Sequence, residues 1–120
     1  DRDYVRKDGE GFFTESNLLN KNTAGWDVAQ IRGTAHNGIA NGFFWINRAG
    51  DRRNAKAWDS SHVLDLPDSL KAKGIDLDTA TSNKDVVLQI INNNINIRPT
   101  VNRDFVKGEW VSGSFSYQLA

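Results

Sequence analysis

The apolar residues of this chain fall in short runs with a period of two, and they do not keep the spacing of a long amphipathic helix. The clearest run closes the sequence. In "GEWVSGSFSYQLA", Gly108 to Ala120, Val111, Phe115, Tyr117 and Leu119 share one face with Gly113 in register, while Trp110, Ser112, Ser114 and Ser116 share the other. This is the alternation of a half-buried strand. A strand with an unpaired edge offers a row of N–H and C=O groups to any partner, so what lies beside this one matters for function.

Other runs follow the same grammar. Trp26 to Gly33 predicts a strand with a bulge, since Trp26 and Val28 alternate and Ile31 falls out of phase. Asn37-Gly38 and Asn41-Gly42 both predict tight reversal, because Asn-Gly supplies positive φ. Phe43 to Asn47, "FFWIN", is an unbroken aromatic and β-branched run that suits a strand buried on both faces at the centre of the core. The charged stretch from Arg48 to Asp59 predicts a solvated loop. "SHVLDLP" predicts a strand stopped by Pro67, which has no N–H to give a ladder.

Between residues 68 and 85 the pattern fits one helical turn, Asp68 to Lys73, capped by Asp68 and ended by Gly74, or a long loop crossing between sheets. Asp85 to Ile91 predicts a strand, "NNN" a turn, and Ile95 to Val101 an edge strand or one broken at Pro99. A further turn at Lys107-Gly108 leads into the closing strand. Six or seven short strands without a long helix predict an all-β antiparallel sandwich, with a barrel as the structural alternative. Residues 1–24 form a polar lead with at most one short strand near Phe12, and residues 25–120 the sandwich.

A length of 120 residues suits one domain. The formal net charge is zero, which removes the electrostatic pull toward nucleic acid or an anionic membrane surface. No stretch approaches the roughly 18 apolar residues of a membrane span. Cysteine is absent, so disulfides and thiolate metal sites are excluded. The start at Asp1-Arg2-Asp3 and the lack of methionine predict a processed, secreted protein or an excised fragment.

Candidate sites are few. His36 and His62 are the only histidines, and "DSSH" beside His62 is not a triad by nearness alone. Two histidines without cysteine make a poor zinc set. Asp76 and Asp78, with Asp85, have oxygen-donor spacing, but the glycine and terminal glutamate of a calcium loop are missing. Arg48, Arg52 and Arg53 with Trp45 and Trp58 compose a surface suited to an anionic sugar, a phosphate or a protein, unless Trp45 belongs to the core and Trp58 packs over its edge. No catalytic residues and no cofactor are predicted, and the expected role is not enzymatic.

The ending "VKGEWVSGSFSYQLA" resembles the last strand of bacterial chaperone-usher fimbrial subunits, in which a Gly followed by an aromatic opens an alternating strand. The stretch "TAHNGIANGFFWINRAG" is similar, more loosely, to a segment of the small tip or invasin subunits of the Afa/Dr fimbrial group, although those subunits usually carry a cysteine pair. The resemblance implies an incomplete immunoglobulin-like sandwich at the bacterial surface, completed first by a periplasmic chaperone and then by a strand of the neighbouring subunit delivered at the usher. It implies an acceptor groove lined by Val111, Gly113, Phe115, Tyr117 and Leu119, faced by Phe12 and Phe13. The lead offers only Tyr4 and Val5 as donor residues, which suits a tip or minor subunit with a host-cell receptor or glycan as its target. Two rivals remain: a self-contained β-sandwich carbohydrate- or protein-binding module using Trp45, Trp58 and Arg52, and a small secreted nuclease or toxin domain around His62, Arg52 and Arg53.

Overall fold

Among the described residues two four-stranded antiparallel sheets and a two-stranded ribbon build the fold, an all-β sandwich. The structure, a computed structural model, describes residues 11–79 and 85–120, and the side chains of 11–74 and 85–120. The first sheet has the order β1-β2-β3-β10, with β1 at Gly11–Thr14, β2 at Trp26–His36, β3 at Ile39–Arg48 and β10 at Trp110–Gln118. The second has the order β5-β8-β7-β6, with β5 at Ser61–Asp65, β6 at Ile75–Thr79, β7 at Val86–Ile91 and β8 at Asn94–Pro99. The ribbon pairs β4, Arg52–Ala55, with β9, Arg103–Phe105.

The core lies between the inner faces of the two sheets. Phe13, Ile31, Phe44, Ile46, Val111, Phe115 and Tyr117 come from the first sheet, and Val63, Leu88, Ile90, Ile95 and Ile97 from the second, all buried. Two lateral bridges pin the sheets together. Leu19 and Asp65 exchange main-chain hydrogen bonds of 2.8 and 2.7 Å, tying the segment after β1 to the edge strand β5. On the opposite side Ala72 bridges Leu119, flanked by Lys73 N–H to Gln118 O at 2.8 Å and Ala120 N–H to Lys71 O at 2.9 Å.

The bulge predicted in β2 is present, with the register shifting between Val28 and Gln30. Asn37-Gly38 makes the two-residue turn of the β2–β3 hairpin, both residues at positive φ (50° and 80°). Asn41-Gly42, by contrast, is not a turn. It lies inside β3, where Gly42 pairs with Gly33 of β2. A Cβ on Gly42 would collide with the Arg32 carbonyl and come within 2.7 Å of Phe115 Cζ, and one on Gly33 would strike the Asn41 carbonyl and the Phe13 ring. The glycine pair therefore exists so that the Phe13 and Phe115 rings, 6.2 Å apart, can lie flat over the hairpin.

Several other expectations need correction. "FFWIN" is not buried on both faces: Phe44 and Ile46 are in the core, while Phe43 and Trp45 are exposed. β8 is a central strand rather than an edge; Pro99 is its last residue, so its missing N–H interrupts no ladder. The turn after Pro67 is a single 3-10 turn, Asp68–Leu70, with Pro67 at the N-cap and no side-chain cap from Asp68. The charged stretch from Arg48 is not simply a solvated loop. It contains β4, and Arg48 is only 6% exposed. Its guanidinium lies 4.9 Å from the Trp26 ring centroid and donates to the carbonyls of Gly50 (3.0 Å) and Ala24 (3.2 Å). Burial, and then the like charge of Arg52, lower its pKa.

Candidate functional site

The residues expected to line an acceptor groove divide cleanly. Val111, Phe115 and Tyr117 share the inner face of β10, as their alternation dictates, and all three are buried by the chain's own second sheet and loops. The Tyr117 hydroxyl donates to the Leu70 carbonyl at 2.8 Å, and burial raises its pKa. Leu119 packs partly buried against the same cluster, and Gly113 sits opposite Phe44 of β3. Phe13 joins this group through its contact with Phe115. Phe12 does not; it points to the other side of the sheet and is exposed. The inner face of β10 is thus occupied, whereas its edge away from β3 forms no ladder with a described strand.

β10 forms a ladder with β3 on one side only, over its whole length. Leu119 donates its N–H toward β3, to Gly38 O, whereas the Gln118 carbonyl faces away from β3, to Lys73. By antiparallel alternation the main-chain groups of Ser114 and Ser116 face the same outer edge as those of Gln118. Beyond the Lys71–Lys73 contact β6 passes close to β10, but no ladder with a described strand lies along that edge.

The second feature is the outer face of the same sheet. Phe43 and Trp45 of β3 and Trp110 of β10 are 45%, 44% and 48% exposed, large values for aromatic rings. Trp45 and Trp110 lie 5.2 Å apart with their planes tilted by 37°, and Trp45 Nε1–H donates to Asn47 Oδ1 at 3.0 Å. Opposite the rings β10 presents only serines: Ser112 pairs with Trp45 and Ser114 with Phe43. Arg32 of β2 pairs with Phe43 on the other flank and is exposed.

The other sequence candidates are scattered. Arg52 of β4 pairs with Asp59 at 3.0 Å and donates to Ser61 Oγ at 3.2 Å, so its charge is engaged locally. Arg53 is exposed on the same strand. Trp58 is exposed at φ 67°, its N–H bound to the Pro99 carbonyl and its carbonyl to Arg98. Trp45 is therefore on the outer face of the first sheet, and Trp58 beside the end of β8 in the second. His62 Nε2 lies 2.7 Å from Asp65 Oδ1, a surface pair on β5. The Asn20 side-chain hydrogen bond, then His62, lower the Asp65 pKa. Asp76 and Asp78 fall in β6, outside the described side chains, and Tyr4 and Val5 lie outside the described residues. Among the described residues no group of three or more acidic or imidazole side chains is placed to hold a metal, and no helix is long and apolar enough to cross a membrane.

Sequence reasoning placed none of Arg32, Phe43 and Trp110 in a candidate site. Trp110 was legible, since it falls in the polar phase of the closing strand. Phe43 was not, because every residue from Phe43 to Ile46 is apolar and the alternation of inside and outside leaves no trace in hydrophobicity. Comparison of the chain with protein-family models, with curated proteins and with solved structures gives no match.

Proposed function

We propose that this chain is a minor or tip subunit of a bacterial surface fimbrium, a non-catalytic adhesion component that accepts a strand from another chain. The observation that carries this reading is the outer edge of β10 at Ser114 and Ser116, which has no ladder with a described strand. An added strand would gain main-chain hydrogen bonds along that edge, the general mode of β-augmentation. Because Val111, Phe115 and Tyr117 are already buried, the incoming strand gains affinity first from the edge. It reaches these side chains only by displacing the segment around Leu70 and Ala72. The periplasmic chaperone, the usher and the immunoglobulin-like family membership belong to the same proposal and rest on the resemblance of "VKGEWVSGSFSYQLA" to the closing strand of such subunits.

The test fuses a donor peptide of alternating apolar residues to the C-terminus by a flexible linker. The fusion is expected to raise the thermal midpoint and to slow amide exchange at Ser114 and Ser116. Ser116→Pro in the fusion is expected to cancel the gain in midpoint and the slowed exchange at Ser114, because proline removes the edge donor while remaining tolerable on an edge strand. If the peptide changes neither midpoint nor exchange, strand acceptance at this edge is refuted.

A further inference from the structure

We infer that the outer face of the β1-β2-β3-β10 sheet binds an acidic oligosaccharide, with Phe43, Trp45 and Trp110 stacking on sugar rings and Arg32 receiving a carboxylate. This does not rest on strand acceptance, which uses the edge of β10 and not its face. Chemistry on three sides argues for a sugar. The rings are rigid and half exposed, and Trp45 and Trp110 meet at an angle of 37°, so together they form a bent wall rather than a flat hydrophobic plate. Beside that wall Ser112 and Ser114 of β10 open a shelf, since each faces an aromatic residue across the ladder and fills little of the space next to it. Asn41, Ser114 and Ser116 are exposed on the same face, giving hydroxyl and amide groups within a few residues of the rings. Apolar faces next to dense neutral donors and acceptors match a pyranose, which presents C–H groups on its faces and hydroxyls at its rim.

The charge arrangement selects an acidic sugar. Arg32 stands across the ladder from Phe43, exposed, and among the described residues it has no ion pair or side-chain hydrogen bond. Glu15, after β1, accepts the Ile31 N–H at 3.3 Å. Asp27 lies on the far side of the bulge, opposite Asn47. At the Phe43 end of the face this guanidinium complements a single carboxylate, which arginine can hold through two parallel hydrogen bonds, while Asp27, exposed on the same face, marks the opposite end beside Asn47.

The experiment measures binding of the full chain to a sialylated trisaccharide and to a uronic-acid oligosaccharide, each against its neutral parent. Wild-type protein is expected to bind the acidic probes about tenfold more tightly than the neutral ones. Trp110→Ala is expected to weaken every probe by about tenfold or more, as for a central aromatic anchor. Arg32→Gln should abolish the preference for acid and keep the residual neutral binding. Both residues are exposed, so unchanged thermal midpoints separate lost binding from lost folding. Equal binding of acidic and neutral probes, no binding to any of them, or indifference to Trp110→Ala would each overturn the inference. So would self-association abolished by Trp110→Ala without sugar binding, which assigns the face to a second copy. The donor-peptide fusion, which occupies the edge of β10 and not its face, should leave sugar binding intact, so this inference and strand acceptance fail separately.

Discussion

The two sheets of the sandwich share a core but treat their outer faces in opposite ways. The first leaves Phe43, Trp45 and Trp110 bare among serines. The second turns polar side chains outward and satisfies them among themselves. Asn96 and Gln89 pair across β8 and β7 and are buried. Asn96 Oδ1 accepts from Ser60 Oγ at 2.9 Å, its Nδ2 donates to Asn94 Oδ1 at 2.6 Å, and Gln89 Oε1 accepts from Arg98 at 3.0 Å. A satisfied polar network has nothing left to offer a ligand, whereas rings with one bare face do. The difference teaches where recognition is stored in this molecule: in the sheet whose outer residues are worst matched to water, not in the one richest in polar groups.

Substitutions can break this contrast in order of size. Gly42→Val, on the inner side of the first sheet, should cost about 3 kcal/mol or more in denaturant unfolding, because its side chain must displace both the Arg32 carbonyl and the Phe115 ring. Retained stability would mean that the aromatic packing under the hairpin is looser than the geometry implies. Asn96→Ala should cost about 1–2 kcal/mol by the same measurement, since it leaves Ser60 and Asn94 without their buried partner. An effect near zero would show the second sheet's polar face to be as dispensable as an ordinary surface.

The smallest effect belongs to the edge of the second sheet. Asp65 has a lowered pKa, so its ionised form is favoured in the folded state. Its contribution is present above the unfolded carboxylate value of about 3.9 and is lost as pH falls through the lower folded value. Asp65→Asn should flatten that acid limb and cost only about 0.5 kcal/mol at neutral pH, as expected for a solvent-screened pair. A shift in the limb above pH 5 would implicate another group.

The strand content and the inward face of β10 were legible because polar and apolar residues alternate there without interruption. Asn41-Gly42 misled because a glycine kept for close ring approach has the same letter as one kept for positive φ. Only the distant Phe13 and Phe115 distinguish the two cases. Arg48 misled for a related reason: its burial depends on Trp26 and on carbonyls at Ala24 and Gly50, none of which a local charge count can see. The central place of β8 was hidden by Pro99, whose effect depends on whether it falls at the end or the middle of a strand. As for the aromatic face, its members lie on different strands. Trp45 and Trp110 were visible as residues, but their adjacency is a product of register.

The Asn37-Gly38 turn also orders events in time. β2 and β3 are joined through two residues, so their pairing carries little loop-closure entropy, and hairpins of this kind form in about 1–10 μs. β10 comes to β3 from the far end of the sequence and must wait for the intervening chain to collapse. During that interval it is β3, with its run of Phe43 to Ile46, that stands as the open edge. The hazard to a newly made chain therefore lies at β3, one strand inward from β10.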